Sequence, residues 1–114
     1  MIAVIFEVWP KDGQKDAYLK VAASLRAELE LLPGFISIER FQSLTDPDKL
    51  LSLSFFEDET ALETWRNLPN HRAAQQAGRT RHFADYRLRI ASLVRDYGKE
   101  DREQAPADSQ AIHD

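Results

Sequence analysis

Few side chains in this 114-residue sequence carry the chemistry of catalysis. Cysteine is absent, which excludes thiolate nucleophiles, disulfide scaffolds, thiolate zinc sites and iron–sulfur clusters. The histidines are His71, His82 and His113. His71 follows Pro69-Asn70 at the start of a short helical stretch. The positive end of a helix dipole disfavours a cationic ring, so this imidazole is expected to be neutral and able to take a proton. The plainer alternative is a surface histidine paired with Glu63 or a backbone carbonyl. Trp65 lies six positions earlier. Its indole face suits stacking on a planar ring, and it suits equally an anchor between helix and sheet. His82, among Arg79, Arg81 and Phe83, reads as a solvated loop histidine, and His113 stands alone in a polar tail. The gap of eleven between His71 and His82 matches no metal motif, so no metal site is expected.

Glu7 and Arg40 interrupt otherwise apolar strands, where charged residues are rarely buried unless paired. Facing a pocket, Arg40 would hold an anion and Glu7 would accept a proton. Facing the other side of the sheet, they would form a structural ion pair. Arg72, beside His71, is a second candidate to steady an anion, and Tyr86 adds a polar strand residue to the substrate-binding candidates. Only four glycines occur, at 13, 34, 78 and 98, and none falls in a P-loop, a GxGxxG fingerprint or a nucleophile elbow.

Charge is unevenly placed. Residues 1–64 carry a net charge of −6, residues 65–97 of +5 and residues 98–114 of −3. An overall −4 argues against nucleic-acid binding. The central arginines suit either an anionic small molecule or solvated ion pairs on a strand. No apolar run approaches the roughly 18 residues of a membrane span. Met1 to Trp9 has no basic leader, so a cytoplasmic protein is expected.

These side chains need elements to position them. Ile2 to Trp9 alternates with period two and is apolar on both faces, which predicts a strand covered on both sides. Pro10 and Gly13 end it. A helix is predicted from Gln14 to Leu32, with Tyr18, Ala22, Leu25, Leu29 and Leu32 as its apolar stripe and Asp12 or Gly13 as its cap. Pro33-Gly34 stops it. Strands follow over Phe35–Gln42 and Leu50–Phe56, joined through Thr45-Asp46-Pro47-Asp48. Glu57-Asp58-Glu59 leads a helix from Thr60 to Arg66. Asn67 is placed to cap a second short helix, which holds Pro69 and weakens at Gly78. A last strand is expected from Asp85 to about Asp96.

The order strand, helix, strand, strand, helix, strand predicts an α+β, ferredoxin-like βαββαβ fold with an antiparallel four-stranded sheet. Helices can cover one sheet face only. The other still carries Ile, Leu and Phe, so a homodimer packed sheet to sheet is expected. The domain is drawn over residues 1–97, with 98–114 as a flexible polar C-terminal tail.

The frame Phe55-Phe56-Glu57-Asp58-Glu59-Thr60-Ala61-Leu62-Glu63-Thr64-Trp65 resembles the signature of antibiotic biosynthesis monooxygenase (ABM) domains. Pro69-Asn70-His71-Arg72 resembles their helix break with a histidine, and Leu32-Pro33-Gly34-Phe35 their helix-to-strand corner. The resemblance covers residues 1–97. It implies a dimeric α+β barrel with a pocket in each subunit between sheet and helices. It also implies a monooxygenase that needs no cofactor and oxidises a small planar phenol or quinol with dioxygen. On that reading Trp65 stacks the ring, His71 is the base, and Arg40 or Arg72 steadies the anion. A non-catalytic dimer that binds or senses a small hydrophobic ligand is the alternative. Haem degraders of the family imply a third reading. They carry an asparagine on the first strand and an axial histidine about ten positions after the tryptophan. This chain has Glu7 on that strand and Gln75 at that spacing.

Overall fold

The computed structural model describes residues 1–113, and the side chain of His113 and all of Asp114 lie outside the described residues, as does the reading of His113. The chain order is β1 (Ile2–Pro10), α1 (Lys15–Glu30), β2 (Phe35–Gln42), β3 (Leu50–Phe56), α2 (Glu59–Arg66), α3 (Pro69–Ala77), a π-helical turn (Gly78–His82), β4 (Phe83–Ser92) and α4 (Ala107–His113). The strands form one sheet in the order β2-β3-β1-β4, with every neighbouring pair antiparallel. This is the expected ferredoxin-like α+β arrangement.

Strand register sorts the side chains into rows. On the helix side, Ile38, Ser54, Val4 and Ile90 form one row and Arg40, Ser52, Phe6 and Leu88 the next. On the opposite side lie Ala3, Ile5, Glu7, Leu51, Leu53, Phe55 and Phe41.

The core is divided. One cluster gathers Ile2, Leu29, Phe56, Ala61, Leu62 and Trp65, and a second gathers Val8, Tyr18 and Leu50. Between them, along the central strands, β1 contributes Val4 and Phe6 while β3 contributes only Ser54 and Ser52. Two small polar side chains take places where large apolar ones would fuse the clusters, and the sheet middle is left unfilled.

Local chemistry sets the corners. Gly34 has φ of 87°, and a β-carbon there would lie 2.7 Å from Ala61 Cβ. Only glycine turns the chain and lets β2 meet α2 so closely. Its carbonyl accepts from Glu57 N at 2.7 Å. Asp58 caps α2, its Oδ1 accepting from Ala61 N at 2.9 Å.

Several expectations are corrected. α1 begins after Gln14, without a side-chain cap from Asp12 or Gly13. Asn67 closes α2 rather than capping α3, because its Nδ2 donates to Glu63 O at 2.9 Å. Leu68 precedes α3 in an extended conformation, as a residue before proline prefers, and Pro69 opens the helix. β4 starts at Phe83 and ends at Ser92, earlier than its alternation suggests, since its ladder with β1 runs out at Ile2. Within the polar C-terminal segment, 107–113 form α4. Local bonds support it: Gln104 Oε1 accepts from Asp96 N, and Gln110 Nε2 donates to the carbonyls of Arg102 and Ala105.

Candidate functional site

The gap between the core clusters is a cavity of about 410 Å³, floored by all four strands and roofed by α1, α2, α3 and the π turn. Its walls are mostly apolar and aromatic, and no Asp or Glu among the described residues lines it. Sites of this size and character usually hold small organic ligands.

The helix break builds the principal feature. α2 ends at Arg66, Leu68 is extended, and α3 turns back, which folds His71 under Trp65. The two rings stack with centroids 4.4 Å apart and planes 20° from parallel. Trp65 is also buried in the first core cluster, so its anchoring and its wall role coincide. Burial holds the His71 pKa below its ordinary value, and the positive charge of Arg72 adds to this. The carbonyls of Trp65 and Arg66 pull the other way, but neither makes a well-formed hydrogen bond to the buried Nδ1. The ring is therefore neutral at pH 7, as the sequence suggests. The leading cause is desolvation rather than the helix terminus.

Arg40 projects from β2 into the same cavity, and its Nε is buried without a hydrogen-bond partner. Tyr86, on β4, reaches the cavity and packs against Phe6 and Phe83 with ring centroids 5.8 Å away in both cases. The structure thus brings Trp65, His71, Arg40 and Tyr86 to one cavity.

Arg72 and Glu7 are not part of it. Arg72 points outward and ties the helix break, donating from Nη2 to Asn67 Oδ1 at 2.5 Å and from Nη1 to Gln75 Oε1 at 3.2 Å. Glu7 lies on the other sheet face, where it pairs with Lys49 and Arg89. Lys49 foremost, then Arg89, holds its carboxyl below the usual carboxylate range against the opposing effect of desolvation. Strand parity decides this: Phe6 and Val8 face the helices, so Glu7 cannot.

Other residues emerge only in three dimensions. His82 is no free loop histidine, because its Nδ1 lies 3.0 Å from Gln14 Oε1 and its ring borders the cavity. Gly78 admits the Phe83 ring, which a β-carbon there would meet at 2.4 Å. Ser52 and Ser54 line the floor although they are only 7% and 6% exposed. Their sequence signal was the replacement of apolar residues by serine on the inward side of β3.

The residue pattern of the haem degraders is not met here. Glu7 points away from the cavity, and Gln75 stands at the spacing where an axial histidine is required. Among the described residues no three His, Asp or Glu gather to hold a metal, and no helix is long and apolar enough to cross a membrane.

Comparison with known proteins agrees with this architecture. A jasmonate monooxygenase of Pyricularia oryzae is 46% identical over 94 residues, covering 82% of this chain and 44% of that protein. The chain thus spans less than half the length of that relative. A Deinococcus radiodurans protein assigned to the antibiotic biosynthesis monooxygenases superposes with a TM-score of 0.76 at 12% identity, over 86% of this chain and 97% of that one. A Mycobacterium tuberculosis protein gives 0.75 at 15% identity, over 85% and 98%. These two share the fold. The model of the antibiotic biosynthesis monooxygenase family matches residues 1–77, which include β1 through α3 and the Trp65–His71 stack. The chain belongs to the antibiotic biosynthesis monooxygenase family.

Proposed function

We propose that this chain is a cofactor-independent monooxygenase that oxidises a small planar phenol- or quinol-type substrate and works as a sheet-to-sheet homodimer. The observation that carries the reading is the neutral, desolvated His71 stacked on Trp65 at the wall of an apolar cavity. A phenol or quinol is oxidised by dioxygen far more readily as its anion. A base that remains uncharged at neutral pH can form that anion in place. The substrate then supplies all the electrons. One oxygen atom enters the product and the other leaves as water. Trp65, Phe6 and Phe83 offer faces and edges to a flat ring. Arg40 places a positive charge in this low-dielectric cavity, which favours an anionic ligand.

A second reading is favoured by one specific observation, the 46% identity to a jasmonate monooxygenase. On that reading the substrate is jasmonate or a similar small acid, within the same cavity, and a two-electron reductant accompanies dioxygen if the product is an alcohol.

Dimerisation is supported by the apolar residues on the sheet face opposite the cavity. Ile5, Leu51, Leu53 and Phe55 are only half-buried there, and Phe41 is exposed. Apolar area of this kind gains about 25 cal/mol per Å² when removed from water.

The test is oxygen uptake with a panel of quinols, phenols and jasmonic acid, comparing the protein with His71→Ala. Uptake with at least one substrate, lost in the variant, is expected. Equal uptake in the variant removes His71 from the reaction. Ligand binding without any uptake leaves a carrier or sensor.

A further inference from the structure

We propose that the cavity seats its ligand through a carboxylate, held by Arg40 together with the hydroxyls of Ser52 and Ser54. The inference rests on the oxygenase reading only for what happens at the other end of the ligand, near His71.

Arg40 is the first observation. Its Nε is buried without a partner, and no hydrogen bond or ion pair among the described residues engages the guanidinium. The nearby Arg26 is already paired with Glu30 at 2.8 Å. Desolvating part of a guanidinium with no acceptor is unfavourable, and the cavity walls offer no carboxylate to relieve it. A ligand that carries its own acceptor relieves it.

The serines are the second, independent observation. Ser52 is the cross-strand partner of Arg40, and Ser54 is the next inward residue of β3. Both are more than nine-tenths buried on a central strand, between the core residues Leu50 and Phe56. Neither hydroxyl has a hydrogen-bond partner among the described residues, and both side chains line the cavity. Serine at such positions leaves donors facing an apolar space.

The row across the sheet gives the ligand its shape. It runs Arg40, Ser52, Phe6, Leu88, with Ile38, Ser54, Val4 and Ile90 beside it. Polar groups lie at the β2 side and apolar groups towards β4. Neighbouring strands are about 4.8 Å apart, so four span about 14 Å. That is the length of a small ring system or short chain ending in an acid group. A carboxylate has two oxygens and can accept from the guanidinium fork and both hydroxyls at once. A phenolate has a single oxygen and leaves donors unused. The ligand class is therefore an apolar monocarboxylate, oriented with its head at β2 and its body beneath Trp65 and His71.

Titration calorimetry on the full chain tests this with jasmonic, 1-naphthoic and decanoic acids, each against its methyl ester and against 1-naphthol. At least one acid is expected to bind about 10- to 100-fold tighter than its ester, the range of hydrogen bonds to a charged group. Arg40→Met should abolish that preference while leaving the ester within about threefold, and Arg40→Lys should restore part of it. The double variant Ser52→Ala/Ser54→Ala should weaken the acid several-fold and not the ester. It decides the matter if Arg40→Met does not fold. Three results overturn the proposal: no acid binds, acid and ester bind alike, or the variants weaken both equally. Preference for 1-naphthol over every acid also overturns it. Acid binding without oxygen uptake would sink the oxygenase reading and leave this subsite standing. Uptake of neutral quinols with no acid preference would do the reverse.

Discussion

Replacing His71 by phenylalanine separates its proton chemistry from its packing. The wild-type ring lies flat against Trp65 at 4.4 Å, and a phenyl ring fills much the same space. The imidazole is already neutral at pH 7 and its buried Nδ1 lacks a well-formed partner. Substitution therefore removes no charge interaction and relieves an unsatisfied polar atom. Stability at pH 7 should stay within about 1 kcal/mol of wild type. Turnover should fall by roughly 100- to 10,000-fold, the usual contribution of a positioned base. The pH dependence gives a second signature. The folded pKa lies below the ordinary 6.5, so the unfolded chain takes up the proton first as pH falls. Wild-type stability should decline from about pH 6.5 down to that lower folded pKa and then level off. The acid limb of kcat should likewise lie below 6.5. His71→Phe should show neither feature. Chemical denaturation from pH 4.5 to 8 and oxygen-electrode kinetics read both. Turnover within threefold of wild type, or a wild-type acid limb above pH 6.5, would refute the argument.

Gly34→Ala should destabilise by roughly 2 kcal/mol or more in urea unfolding, since φ of 87° and the 2.7 Å approach to Ala61 Cβ both oppose a methyl group. Leu53→Asp on the sheet face opposite the cavity should shift sedimentation from dimer to monomer, and an unchanged dimer would exclude that face as the seam. Glu7→Gln should leave oxygen uptake unaltered, because its carboxyl pairs with Lys49 and Arg89 away from the cavity; a large loss would return it to the site.

Much of the site was legible because it depends on short-range order. The Pro69 break places an interruption between Trp65 and His71, while the stacking of the two rings belongs to the tertiary structure. Strand alternation established that Glu7 and Phe6 face opposite ways, but it left open which side is the cavity. Arg72 misled because a residue beside a histidine on a helix points elsewhere by about 100°, and here it points to Asn67. Ser52 and Ser54 on β3 carry no signal of a role by themselves, since one strand cannot reveal what lies across from it.

Element order, the both-faces-apolar pattern of β1 and the helix–strand corner at Gly34 follow from the chain alone, because periodicity and backbone strain are local properties. Which face of each strand meets the helices, the division of the core by Ser52 and Ser54, and the convergence of Arg40 with His71 belong to the tertiary structure. Register brings together residues far apart in sequence, and a cavity exists only where packed neighbours fall short of filling space.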